Sequence, residues 1–152
     1  MTDTSPAAVF AAVFVALYIG HSLGDHWVQS SCQAASKGQP GWKGRLACAR
    51  HVLGLTATKG AVLAPVVLAL ELPLAPVGLV VGLSLDAASH YWADRRTTLA
   101  RLASRCGTPD HPAAPATAAG KPAAHLGTGA YALDQSWHTL WLGITALTIT
   151  AI

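Results

Sequence analysis

Histidine and carboxylate side chains recur four residues apart at several places in the sequence. The first set is His21, Asp25 and Gln29, and the second is His90 and Asp94. Residues with this spacing stack along one face of a helix, about 6 Å per step. Imidazole and carboxylate groups that share a face are typical ligands of a divalent metal ion.

Further positions extend this pattern. Asp134 and His138 repeat the spacing in reverse order, and Asp86 lies about one helical turn before His90. Six residues are the predicted metal ligands: His21, Asp25, His51, His90, Asp94 and His138. Four more are predicted to act in catalysis, the carboxylates as candidate general bases and the amides by orienting a metal-bound water: Asp134, Asp86, Gln29 and Gln135.

The ligand types narrow the choice of metal. Imidazole with carboxylate suits zinc, iron or manganese better than calcium or magnesium, and zinc is the first choice. Cys32, Cys48 and Cys106 form no CxxC pair and lie away from the His/Asp faces, so a thiolate site is not expected. The ligands suffice for one metal with open positions or for two metals roughly 3.5–4 Å apart. Any single pair is also compatible with packing alone or, for Asp25 and Asp94, with ion pairs to nearby arginines.

The elements that must position these residues are apolar. Of the 152 residues, 52% are hydrophobic and 11% are charged, against roughly 25% charged in an ordinary globular protein. Apolar stretches of about 20 residues can cross a bilayer as helices. We therefore predict an all-α, polytopic membrane protein that is a single domain over residues 1–152. Four transmembrane helices are predicted, with a flexible cytoplasmic loop after the third: helices at about 7–28, 46–70, 75–94 and 131–152, and the loop at about 104–129.

The distribution of basic residues predicts the orientation of the helices. Lysine and arginine cluster in the first and third loops and are absent from the turn at Pro73. By the positive-inside rule, both termini lie outside and these two loops face the cytoplasm. The motif-bearing ends of all four helices then meet at the cytoplasmic face. Basic residues there are predicted to hold an anionic headgroup: Lys37, Arg45, Arg95 and Arg96.

An internal repeat accompanies this pattern. HxxxD, a basic loop and a histidine that opens the next helix occur in order twice, ending at His51 and at His138. Two helical hairpins of this kind can pack about a pseudo-twofold axis along the membrane normal. Lys59 lies roughly 12 Å deeper than His51, where it either snorkels or faces a polar interior.

The motif set resembles that of a family of small bacterial and phage integral-membrane proteins of unknown function. The shared positions are His21-xxx-Asp25-xxx-Gln29, Lys37 in the following loop, His51, His90-xxx-Asp94 and Asp134-Gln135-xx-His138. The resemblance implies a membrane protein, and we expect a multi-pass protein of the bacterial inner (cytoplasmic) membrane. The pattern is more loosely similar to the LexA-regulated membrane-bound metal-dependent hydrolases, which share a helix with HxxxD; by analogy this favours hydrolysis.

Two functional hypotheses follow. The leading one is a metal-dependent hydrolase that acts at the cytoplasmic leaflet on a lipid phosphoester or ester, with membrane lipid as the partner. The alternative is a non-enzymatic protein whose His/Asp cluster binds metal structurally or lines an ion or proton path in a homo-oligomer. The basic residues behind the net charge of +3 cluster in the loops, which indicates the orientation of the helices in the membrane. We therefore expect no nucleic-acid partner.

Overall fold

The computed structural model describes residues 5–95, 97–106 and 129–152, and every regular element in these ranges is helical. The all-α prediction is therefore confirmed. The helices are α1 (Pro6–Leu23), α2 (Ser31–Ser36), α3 (Gly41–Ala69), α4 (Pro76–Asp94), α5 (Thr97–Arg105) and α6 (Gly129–Ala151). A π-helical turn, Gly24–Val28, continues the end of α1.

The four long helices occupy the predicted segments with shifted ends. The second of them, α3, begins at Gly41 rather than at 46, directly after the extended backbone of Pro40. The short helix α2 lies within what the sequence presents as a linker, and a capping box between Ser30 and Gln33 closes its first turn. The predicted loop at about 104–129 lies almost entirely outside the described residues.

The starts of α1 and α4 follow from local chemistry. Ser5 caps α1 by accepting a hydrogen bond from the Ala8 amide at 3.2 Å. Pro6 and Pro76 occupy the first helical positions of α1 and α4, where the missing N–H costs no intrahelical bond. These signals start the helices so that His90 and Asp94 fall in the last two turns of α4, and His21 falls in the last turn of α1, just before the π-helical turn that carries Asp25.

The long helices form a four-helix bundle of two antiparallel pairs. Helix α1 packs against α3 and α4 against α6, while contacts between α1 and α6 and between α3 and α4 close the ring. A Cβ at Gly20 would lie 2.7 Å from Lys59 Cα, and one at Gly78 would lie 2.9 Å from the Ile149 carbonyl oxygen. Glycine therefore permits the close approach in both pairs. The pairing brings the C-terminal ends of α1 and α4 beside the N-terminal ends of α3 and α6.

The interior has an apolar half and a polar half. The apolar core consists of Val9, Val13, Ala16, Leu17, Leu63, Leu72, Leu142, Ala146 and Ile149. The same helix faces continue into the polar half, as in α1, where buried His21 follows Leu17 by one turn. One continuous face of each helix thus packs the core and also presents the polar residues.

Two segments, Pro6–Val28 and Gly41–Ala69, are long and apolar enough to cross a membrane, each with a mean hydropathy of 1.8 over its most apolar stretch. This property rests on length and composition alone. The apolar sequence of α4 contains Asp86 and ends at Asp94, and α6 contains four threonines.

Candidate metal centre

Three ligand atoms form a nearly equilateral triangle in the polar half of the bundle. His51 Nε2 lies 3.2 Å from His90 Nε2 and 3.2 Å from Asp94 Oδ2, and His90 Nε2 also lies 3.2 Å from Asp94 Oδ2. Each of the three residues is 2% exposed. Nitrogen ligands of a tetrahedral zinc ion, at bond lengths of about 2.0–2.1 Å, are about 3.3 Å apart. The triangle therefore matches one face of a tetrahedral metal site.

Asp25 supplies a fourth ligand atom from a third helix. Its Oδ1 lies 3.1 Å from His51 Nε2, and ligand atoms of Asp25, His51 and His90 lie within 4.8 Å of one another. Asp25 belongs to the π-helical turn Gly24–Val28, and such turns within α-helices are frequent at functional sites. The turn at the end of α1 thus presents a carboxylate to the ligands of α3 and α4.

His21 and His138 extend the cluster. Their ring centroids are 5.1 Å apart, and the His90 ring lies 5.4 Å from His21 and 3.9 Å from His138. Ligand atoms of His90, Asp94 and His138 form a second group within 4.8 Å. Both ring nitrogens of His21 and Nε2 of His138 are buried and lack a hydrogen bond of good geometry to any described residue. Buried polar atoms in native proteins are rarely left unpaired, so the one lone pair that each neutral ring offers fits a bound cation.

Outer contacts orient the ligands. The side-chain amide of Gln29 lies 2.9 Å from His51 Nδ1. The amide nitrogen faces the ring and donates to Nδ1, which leaves the proton of a neutral ring on Nε2. A metal at His51 Nε2 would require the Gln29 amide to be turned over, so that Nδ1–H donates to its oxygen and Nε2 keeps a lone pair. The Lys37 ammonium lies 2.9 Å from Asp94 Oδ1 and 3.9 Å from Asp25 Oδ1. The Asp94 carboxylate therefore faces the histidines with one oxygen and Lys37 with the other.

A cavity of about 590 Å³ reaches this cluster from one end of the bundle. Its walls include the ligands Asp25 and Asp94, the ammonium-bearing Lys37, and apolar side chains of Leu99 and Leu133. Helices α2 and α5 and the start of α6 contribute to the walls. The cavity is thus amphiphilic, with carboxylates and an ammonium at the cluster and apolar surface beside them.

The four predicted catalytic residues lie in three different settings. Asp134 and Gln135 line the cavity; Asp134 Oδ1 lies 3.5 Å from His138 Nε2, and the Gln135 amide donates to Asp25 Oδ2 at 3.4 Å. Gln29 contacts His51, as described above. Asp86 is buried elsewhere and accepts a hydrogen bond from the Lys59 ammonium. The structure therefore brings three of the four to the cluster and leaves Asp86 in an ion pair.

The predicted headgroup residues are also separated. Lys37 is buried at the cluster, whereas Arg45 is exposed. The Arg95 guanidinium donates to the backbone carbonyls of Lys37 and Gln39 at 2.7 and 2.6 Å, and so holds the loop that presents Lys37. Arg96 lies outside the described residues.

Two cavity residues were missed by the sequence reasoning. His26 Nδ1–H donates to the Ser22 carbonyl at 2.9 Å, and His26 Nε2 accepts from the Tyr131 hydroxyl at 3.0 Å. Both His26 and Tyr131 line the cavity. His26 is adjacent to Asp25 in sequence, but helical spacing alone places it on another face.

No family model, curated protein or solved structure matches this chain. The resemblance to membrane families therefore stays a prediction. What the site does is inferred from its own atoms and their surroundings.

Proposed function

We propose that this chain is a metal-dependent hydrolase of the bacterial inner membrane, with four transmembrane helices and both termini outside. Its divalent metal, zinc first and iron or manganese as alternatives, binds in the His/Asp cluster. The carrying observation is the 3.2 Å triangle of His51 Nε2, His90 Nε2 and Asp94 Oδ2, with Asp25 Oδ1 3.1 Å from His51. The substrate class is a lipid phosphoester or ester at the cytoplasmic leaflet.

The charge balance of the cluster supports a bound cation. Asp25 and Asp94 bring two negative charges, and Lys37 is the ammonium beside them. With neutral imidazoles, the buried group carries one excess negative charge, which is costly in a low-dielectric interior. A divalent cation converts the excess to one positive charge, which attracts an anionic substrate.

The exposed surface of the bundle supports four spans. Large apolar side chains are exposed on each long helix, for example Val15 on α1, Leu53 on α3, Val80 on α4 and Leu140 on α6, at 53–70%. At 1.5 Å per residue, the 19 residues of α4 and 23 residues of α6 extend roughly 28 and 34 Å. A hydrocarbon core is about 30 Å thick. All four long helices are therefore compatible with lipid outside and polar groups inside.

Tryptophans support a membrane boundary at the cluster end. The Trp92 and Trp137 rings are 5.0 Å apart, Trp141 follows at 6.0 Å, and Trp27 is 83% exposed. Tryptophan is enriched at the headgroup level. A substrate lipid in the adjoining leaflet would thus meet the cavity without leaving the membrane.

The cavity suits hydrolysis of an amphiphile. A bound divalent metal activates water at neutral pH and polarises a phosphoryl or acyl oxygen. Asp134, at the cavity wall, would accept a proton from the attacking water and return it to the alcohol oxygen as the new oxygen bond forms and the ester bond breaks. Lys37 pairs with the anionic headgroup, while Leu99 and Leu133 contact the lipid chain.

An ion or proton path is the second candidate, and the buried Lys59–Asp86 pair is the observation that favours it. The pair extends the polar interior beyond the histidines. Beyond it, the described bundle is closed by an apolar core that includes Val13, Leu17 and Leu142. A path across the membrane would therefore have to run between chains of a homo-oligomer, which makes hydrolysis the better-supported proposal.

Elemental analysis of the full chain, purified in detergent, tests the proposal. We expect bound zinc, iron or manganese in the wild type, and its loss in His90→Ala. His26→Ala is the matched control, since His26 bonds to Ser22 and Tyr131 rather than to the cluster. The metal-loaded protein is then assayed on phospholipid vesicles for released phosphate or alcohol. If the purified protein contains no metal even after the growth medium is supplemented with these metals, the hydrolase proposal is wrong.

A further inference from the structure

We propose that the cluster holds two metal ions rather than one, bridged by the carboxylate of Asp25. This inference rests on the proposed function, because it adds a second ion beside the first. The first site is formed by His51, His90 and Asp94 with Asp25 Oδ1. The second site is formed by His21 and His138 with Asp25 Oδ2, and Asp134 lies beside it as the general base.

The two oxygens of Asp25 face different histidines. Oδ1 lies 3.1 Å from His51 Nε2, whereas Oδ2 lies 3.8 Å from His21 Nε2 and accepts the Gln135 amide at 3.4 Å. The carboxylate therefore points one oxygen at the first site and the other away from it. A carboxylate placed in this way can bridge two ions at the separation of about 3.5–4 Å typical of two-metal hydrolases.

The two histidines of the second site are buried, and their ring nitrogens include unpaired ones. His21 is 3% exposed and His138 is 2% exposed. Within the described part of the chain, three of their ring nitrogens make no hydrogen bond of good geometry: Nδ1 and Nε2 of His21 and Nε2 of His138. His138 Nε2 instead lies 3.5 Å from Asp134 Oδ1. A divalent ion between these groups would use the lone pairs that the protein leaves without partners.

A single ion explains the arrangement of His51 and His90 but leaves His21 and His138 without a bound cation. His51, His90 and Asp94 already form a complete face of one tetrahedral site, with Asp25 Oδ1 beside it. The His90 ring stacks on His138 at 3.9 Å. Ligand atoms of His90, Asp94 and His138 lie within 4.8 Å of one another, so His138 borders the first site directly and would be a ligand of an adjoining second ion.

A second ion also matches the proposed chemistry. Two ions on either side of a phosphoester can stabilise the attacking and the leaving oxygen in an in-line displacement. With three aspartates, Lys37 and two divalent ions, the centre carries two net positive charges when its histidines are neutral. This favours a phosphomonoester, which is doubly negative, over a neutral acyl ester.

Metal stoichiometry and manganese electron paramagnetic resonance test the inference on the full chain in detergent. We expect two equivalents of zinc per wild-type chain and, after exchange to Mn²⁺, the spectrum of a spin-coupled pair. His21→Ala should bind one equivalent and give an isolated Mn²⁺ signal. His26→Ala should keep two equivalents and the coupled spectrum.

The outcomes separate this inference from the proposed function. One equivalent in both wild type and His21→Ala overturns the second site and leaves the single-metal hydrolase standing. No metal in the wild type overturns both. If His21→Ala does not fold, His138→Gln takes its place, and a folded variant that binds two equivalents or none overturns the assignment of these histidines.

Discussion

The Nε2 atoms of His51 and His90 lie 3.2 Å apart inside the bundle, although the residues are 39 positions apart in sequence. Two such nitrogens must share a proton or a metal ion, since two lone pairs or two protons at this distance repel. With Asp94 Oδ2 at 3.2 Å from both nitrogens, a cation stabilises all three groups at once.

Removal of the metal is therefore expected to destabilise the protein. A ligand at 100 times its dissociation constant stabilises the folded state by about 2.7 kcal/mol. Chelation should lower the melting temperature of the detergent-purified wild type, and added zinc should restore it. His51→Ala should show a smaller chelator-dependent shift than the wild type. An equal shift in the variant would contradict a metal held by this histidine.

Lys37 is expected to act on the substrate more than on the metal. A hydrogen bond to a charged group contributes about 1.5–3 kcal/mol, so Lys37→Gln should lower kcat/KM for an anionic lipid roughly 10- to 100-fold. Metal content should be retained, because the change removes a positive charge from beside the ion. Lys43→Gln, at an exposed position, is the matched control. If Lys37→Gln instead loses metal while kcat/KM per bound metal stays unchanged, Lys37 acts by positioning Asp94 and not by binding the substrate.

The approach of α1 to α3 is expected to depend on Gly20. A Cβ there would lie 2.7 Å from Lys59 Cα, so Gly20→Ala must push the helices apart. Overpacking costs about 1–3 kcal/mol, and the displacement should also weaken metal binding between α1 and α3. Gly60→Ala is the control, since a Cβ at Gly60 meets no atom within 4 Å. The comparison is made by thermal unfolding and zinc titration; equal behaviour of the two variants would refute the close approach.

The Lys59–Asp86 pair is expected to contribute to stability rather than to metal binding. Both residues are buried, with Lys59 at 0% exposure. Lys59→Met leaves a buried carboxylate unpaired and should lower the free energy of unfolding by about 3–5 kcal/mol. The double change Lys59→Met with Asp86→Leu should recover most of this loss, because neither charge then remains.

Denaturant titration of the detergent-solubilised protein measures both changes. Metal content per folded chain should stay at the wild-type value in the double variant. If Lys59 and Asp86 instead line an ion path, both the single and the double variant should lose ion flux in liposomes to the same extent.

Local periodicity accounts for what could be predicted. Four-residue spacing within a helix determines that His21 and Asp25, or His90 and Asp94, share a face whatever surrounds them. The all-α class follows in the same way from apolar stretches bounded by Ser5, Pro6 and Pro76. The sequence by itself thus determined the His/Asp pairs and the helices that carry them.

Only the tertiary structure decided which pairs meet. Glycines let α1 approach α3, across which His51 contacts Asp25. His51 contacts His90 across the separate α3–α4 packing. Neither distance is encoded in the spacing along one helix. Lys59, whose depth alone was predictable, lies in the interior because Asp86 of another helix neutralises it. The π-helical turn adds a local irregularity that no regular period predicts. Helical spacing is a property of neighbouring peptide units, whereas the meeting of histidine and aspartate side chains from four helices depends on how all their faces pack together.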